Sequence, residues 1–143
     1  MATILVIDDD PQICDLLQQV LEKEGHAVHT ALNGIEGISL YRQHHPELIL
    51  LDILMPEKEG LETILDLRRE FPNVMTIAMS GGSERAKINL LELAQRLGAQ
   101  YQLTKPFQLQ TVIELVNTAL GRKGNVVSSE GSGEPIGSEK NDS

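Results

Sequence analysis

The chain has no tryptophan, only two phenylalanines and two tyrosines, and a single cysteine. With so few rings, a core drawn from its 41% hydrophobic residues must be aliphatic, built from Leu, Ile and Val. The lone Cys14 excludes an intramolecular disulfide, and its place on a predicted helix makes it a small packing residue rather than a nucleophile. No apolar run approaches the roughly 20 residues of a membrane-spanning helix. Met1 leads straight into a strand without the basic and apolar stretch of a secretory signal, so the expected location is a reducing cytoplasm. Clustered basic charge is missing too. The net charge is −9, and Arg68-Arg69 is the densest basic pair before residue 122, which argues against direct nucleic-acid binding. No Gly-x-Gly-x-x-Gly follows the first strand, so a dinucleotide site has no support.

What is present is a regular alternation of apolar strands and amphipathic helices, on a scale that suits one domain. Strands are predicted over 3–7, 26–31, 47–51, 74–79 and 99–104. Helices are predicted over 11–24, 35–45, 61–70, 83–97 and 108–120. The first helix opens on Pro11, with Asp10 as its cap, and stops at Gly25. Its Ile13, Leu16, Leu17, Val20 and Leu21 have the spacing of one helical face. In the helix over 108–120 the buried side is expected to be Leu109, Val112, Ile113, Leu115, Val116 and Leu120. Asn33-Gly34 reads as a turn and Gly98 as a helix C-cap. The second strand alternates and is expected at an edge. Residues 122–143 have few apolar side chains and are expected to form a disordered polar tail, which leaves 1–121 as the domain. The fold class is α/β: a doubly wound, five-stranded parallel sheet with five helices and right-handed crossovers.

The chemistry lies at the strand ends. Strand 1 runs into Asp8-Asp9-Asp10, strand 3 into Asp52, strand 4 into Ser80-Gly81-Gly82 and strand 5 into Lys105-Pro106. Parallel strands buried on both faces read as continuous apolar runs, and a residue just past such a run lies at the carboxyl edge of the sheet. Bringing Asp8, Asp9 and Asp52 together requires strands 1 and 3 to be neighbours, which favours the order 2-1-3-4-5. Two like charges about 4 Å apart repel by roughly 4 kcal/mol at an effective dielectric near 20, so a cation must offset them. Carboxylate oxygens suit Mg²⁺ or Mn²⁺, and no His or Cys stands at the matching ends to suit zinc. Lys105 can neutralise carboxylates or hold a phosphoryl oxygen. Ser80 offers a hydroxyl donor, and Gly81 and Gly82 leave the approach open. Together these residues suit phosphoryl transfer to Asp52 as nucleophile, giving an aspartyl phosphate.

The segments Ile4-Leu5-Val6-Ile7-Asp8-Asp9-Asp10-Pro11, Asp52-Ile53-Leu54-Met55-Pro56 and Leu103-Thr104-Lys105-Pro106-Phe107 resemble the receiver domain (CheY-like) of response regulators in two-component phosphorelay systems. The resemblance covers about residues 2–121. It implies the flavodoxin-like 2-1-3-4-5 fold, for which the chemotaxis receiver is a standard example. It implies Mg²⁺ and a phosphoryl donor that is a histidine kinase or phosphotransfer protein. By position Asp52 matches the phospho-acceptor, Asp8 and Asp9 the acidic pair and Ser80 the Ser/Thr. Lys105 matches the lysine, and the backbone carbonyl of Leu54 a further metal ligand. Lys105-Pro106 matches a bond that is usually cis in the family.

Two features depart from the pattern. The position three before Lys105, often aromatic in receivers, is Gln102. Tyr101 falls one residue earlier and on the opposite face of the strand, where packing is its expected role. Leu54 and Gly82, at positions that often tune phosphoryl lifetime, carry no polar side chain to orient water, so unusually fast hydrolysis is not expected. His44-His45 reads as a solvated pair favoured by a helix C-terminus rather than a metal or phosphohistidine site. The expected function is a stand-alone receiver, not an enzyme, that signals through a face made by the fourth strand, fourth helix and fifth strand to an output protein. It would be a monomer or a phosphorylation-dependent dimer. The alternatives are a phosphorylation-independent pseudo-receiver, a fragment of a longer regulator, or a small phosphatase of flavodoxin-like form. The last lacks an acid/base at the strand ends.

Overall fold

The computed structural model describes residues 2–53, 59–81, 92, 94–96 and 98–121. Its strands are β1 Thr3–Ile7, β2 Ala27–Ala31, β3 Leu48–Asp52, β4 Thr76–Ser80 and β5 Tyr101–Thr104. Helices α1 Pro11–Lys23, α2 Gly34–His44 and α3 Glu59–Glu70 alternate with them, and the helix Leu109–Ala119 follows β5. All four strand pairings are parallel, in the order β2-β1-β3-β4-β5. Of the helix expected over 83–97, residues 92 and 94–96 are described, and they are helical. Leu54, Gly82 and the tail over 122–143 lie outside the described residues.

The continuous apolar runs explain the layering. Ile4 to Ile7 and Leu48 to Leu51 are each 0% exposed, because both faces of the central strands are covered. Burying one such side chain fully is worth about 1.5–3 kcal/mol. Alternate residues divide the core in two. Ile4, Val6, Leu48, Leu50, Ile77 and Met79 meet α1 and the 109–119 helix. Leu5, Ile7, Ile49, Leu51 and Ala78 meet Tyr41 of α2, Ile64 and Leu67 of α3, and Ala94.

Local chemistry sets the element ends. The Asp10 side chain accepts from Gln12 N–H at 2.9 Å and Pro11 takes the first helical position, so α1 starts where expected. Gly25, at φ +97°, ends it. The buried stripe of α1 is Cys14, Leu17 and Leu21, rotated from the expected one, and Leu16 is left 37% exposed. The 109–119 helix buries Val112, Leu115, Val116 and Ala119, and Leu109 faces outward. In both helices a stripe of three to four residues per two turns covers the sheet, so the flanking apolar positions stay at the rim. Asn33 is more than a turn residue. It caps α2 by accepting from Glu36 N–H at 2.8 Å, and the Glu36 carboxylate accepts from Leu32 N–H at 3.1 Å.

The fourth strand begins two residues later than expected. Gln100 accounts for the difference: its side chain accepts from Thr76 N–H at 2.9 Å and donates to Val74 O at 3.3 Å. An amide side chain thus stands in for a neighbouring strand where β5 has not yet begun.

Candidate functional site

The carboxyl edges of β1, β3, β4 and β5 converge on one pocket. Asp8 follows β1, with its N–H donating to Ala31 O at 3.0 Å. Its carboxylate accepts from Asp10 N–H at 2.9 Å through one oxygen and from Lys105 Nζ at 2.8 Å through the other. Asp52 is the last residue of β3, and it also receives Lys105 Nζ, at 3.3 Å. Lys105 is anchored by its own backbone, whose N–H donates to Ser80 O at 2.8 Å. Asp8 is 0% and Asp52 4% exposed, whereas Asp9 faces solvent. The site therefore has a buried floor and a wet acidic lip.

Electrostatics follow from that burial. Desolvation pushes the Asp8 carboxyl above its ordinary range, and the charge of Asp52 adds to it; hydrogen bonds from Lys105 and Asp10 N–H pull the other way without prevailing. For Lys105 burial works against the charge, but its hydrogen bond to Asp8 and the nearby Asp52 outweigh it and hold the ammonium above the usual lysine range. One ammonium faces two buried carboxylates, so the pocket keeps an excess of negative charge.

A metal ion fits that excess. One ligand oxygen each from Asp8, Asp9 and Asp52 lies within 4.8 Å of the others, and this is the convergent ligand group found among the described residues. Three hard carboxylate oxygens with solvent access match Mg²⁺ or Mn²⁺. The Leu54 carbonyl lies outside the described residues. Ser80 ends β4 on the same edge and is 0% exposed, but its hydroxyl donates to Gly81 O at 3.4 Å. Gly81 makes room for the lysine: a Cβ there would sit 3.3 Å from Lys105 Cβ.

Several residues fall outside the pocket. The Cys14 thiol is buried beside it, donating to Asp8 O at 3.3 Å and lying 3.7 Å from Ala31 O. Burial pushes this thiol up to about 11, so it is no nucleophile near neutrality. Tyr101 is half-buried against the α1 face of the core. Gln102 pairs with Ala78 across the sheet, on the other face. His44 and His45 are exposed at the end of α2, as expected, but His44 also stacks on His29. Cys14 is a buried packing residue, as expected, but its thiol contacts with Asp8 O and Ala31 O, like the histidine stack, were not foreseen. Both join residues distant in sequence, and no spacing rule signals them. The Asn33 cap did have a signal, since Asn-x-x-Glu is a capping-box pattern. The Lys105-Pro106 bond is cis. Among the described residues no helix is long and apolar enough to cross a membrane.

The profile of the response regulator receiver domain matches residues 4–117. The chain is also similar to solved structures. One is NtrX from Brucella abortus: identity is 30% and the TM-score 0.78, over 84% of this chain but 27% of that one. The isolated receiver domain of NtrX gives 29% identity and a TM-score of 0.77 over 84% of this chain and 99% of that one. A CheY-like receiver domain protein from Methanospirillum hungatei JF-1 gives 27% identity and a TM-score of 0.77, over 85% and 94%. The chain thus spans about a quarter of the length of the longer NtrX chain it matches.

Proposed function

The chain belongs to the response regulator receiver domain family, and from that premise we propose that Asp52 accepts a phosphoryl group from a phosphohistidine donor. The observation that carries the reading is Lys105 Nζ lying 2.8 Å from Asp8 and 3.3 Å from Asp52 in an otherwise acidic pocket. A carboxylate oxygen of Asp52 attacks phosphorus in line. The P–N bond to the donor imidazole breaks as the P–O bond of an acyl phosphate forms, and the imidazole nitrogen leaves with its electron pair. Lys105 leaves the carboxylates to pair with a phosphoryl oxygen. The Ser80 hydroxyl leaves Gly81 O and donates to another. Asp8, Asp9 and Asp52, with the Leu54 carbonyl, would hold Mg²⁺ or Mn²⁺, which when bound supplies positive charge against the transferred oxygens.

On this reading the domain spans 1–121 and the tail 122–143. The donor is a histidine kinase or phosphotransfer protein. The signal passes through the face of β4, the helix expected over 83–97, and β5, with Ser80 at its origin. An output carried on a separate protein and a cytoplasmic setting are part of the proposal. Gln102 in place of an aromatic favours transmission through the loop at Gly81.

The test is direct. Acetyl phosphate with Mg²⁺ should add about 80 Da, one HPO₃ unit, to the intact chain. Asp52→Asn should abolish the adduct, and chelating the metal should suppress it. A wild-type chain that gains no mass, or an adduct that survives Asp52→Asn, overturns the reading and returns the chain to a phosphorylation-independent module.

A further inference from the structure

The chain has four histidines, and three of them gather at one corner: His29 on the edge strand β2, and His44 and His45 at the end of α2. The rings of His29 and His44 stack face to face, with centroids 3.8 Å apart and planes within 13°. The contact joins the edge strand to the last turn of a helix on the face it shares with Leu5 and Ile7.

The surroundings of this pair carry little other charge. Across the sheet, His29 is in register with Leu5 of β1. Helix α1 packs on the opposite face, against Val28. On α2, Arg42 is turned to Glu70 in a two-pronged ion pair at 2.9 and 2.8 Å. The His45 ring lies edge-on to Tyr41 and Phe71. Among the described residues, the titratable group facing His29 is therefore His44. Burial, and then the charge of His44, hold His29 below the ordinary histidine range.

We propose that His29 and His44 form a single-proton clasp between β2 and α2, which a second proton opens. His44 lies in the last turn of α2, where the helix dipole favours a cation. A charged ring can stack on a neutral one. Two charged rings at this separation repel each other, and exposed His44 is free to swing into water. Its departure releases the terminal turn, which ends at His45 in a left-handed conformation with its N–H on Tyr41 O at 2.8 Å. The same strand carries Ala31, whose carbonyl holds Asp8 N–H, so the clasp sits on an element that frames the acidic pocket. The proposal is independent of the phosphoryl reading.

The sign follows from the lowered value of His29. Below about pH 6.5 the unfolded chain takes up the proton more readily, so the clasp's contribution is full above that pH and is lost as acid drives the second protonation.

The test is a histidine-ring NMR titration of the full chain, with amide exchange at His45 corrected for the intrinsic effect of pH. His29 should titrate below the ordinary range, as the second proton taken by the pair. His45 exchange should quicken several-fold across the second step. In His44→Gln the His29 midpoint should rise, and in His29→Gln the exchange step should vanish. A His29 midpoint unmoved by His44→Gln, or a wild-type His45 amide indifferent to the second step, overturns the proposal.

Discussion

The two ends of the same five strands treat buried polarity in opposite ways. At the amino ends the buried polar groups are matched by hydrogen bonds. His26, 5% exposed, accepts Ala2 N–H at 3.2 Å, and Gln100 pairs with both Thr76 N–H and Val74 O. At the carboxyl ends they are charged and unbalanced, with one ammonium set against Asp8 and Asp52 and the exposed Asp9 close by. One end serves stability. The other gives up stability to hold a site that is complete only when a cation or a transferred group arrives.

Removing charge from the unbalanced end is the strongest way to break this contrast. Lys105→Met keeps the stem and deletes the counter-charge, leaving two buried carboxylates facing each other. It should lower unfolding free energy by about 3 kcal/mol, read as the urea midpoint without metal, and should also impair phosphorylation. At the matched end, Gln100→Ala strands a donor and an acceptor and should cost about 2 kcal/mol, with no change in the acetyl phosphate reaction. The smallest effect has the opposite sign. Because Asp8 is held above its ordinary value of 3.8, the stability it contributes is full below that pH and is lost as pH rises through its folded value. Asp8→Asn should therefore stabilise the metal-free chain at pH 7 by about 1 kcal/mol, with the gain shrinking towards pH 4. A loss of stability in Asp8→Asn would mean that the two ends do not differ as described.

That Asp8 and Asp52 share the carboxyl edge was readable because strand-length apolar runs end directly in them. The sheet order was not readable from periodicity; it came from the need to bring strands 1 and 3 together and from the resemblance to receivers, which also placed Lys105. The start of β4 was not readable, because Val74 and Met75 look like strand and only the distant Gln100 decides otherwise. The stripe on α1 was readable in period but not in phase, since Cys14 packs into the core cluster with its thiol against the carbonyls of Asp8 and Ala31. The direction of the Ser80 hydroxyl towards Gly81 is likewise a tertiary fact. Sequence pattern reports which residues share an edge; how each side chain spends its hydrogen bonds depends on neighbours it does not encode.

The reach of Lys105 has a further meaning for biosynthesis. Its partner Asp8 lies 97 positions earlier, and in the sheet β3 and β4 stand between their two strands. A chain still emerging from the ribosome, with four strands assembled and the fifth not yet released, would hold its aspartates without the ammonium that tempers them. The final strand thus completes the counter-charge of an edge that the first strand begins.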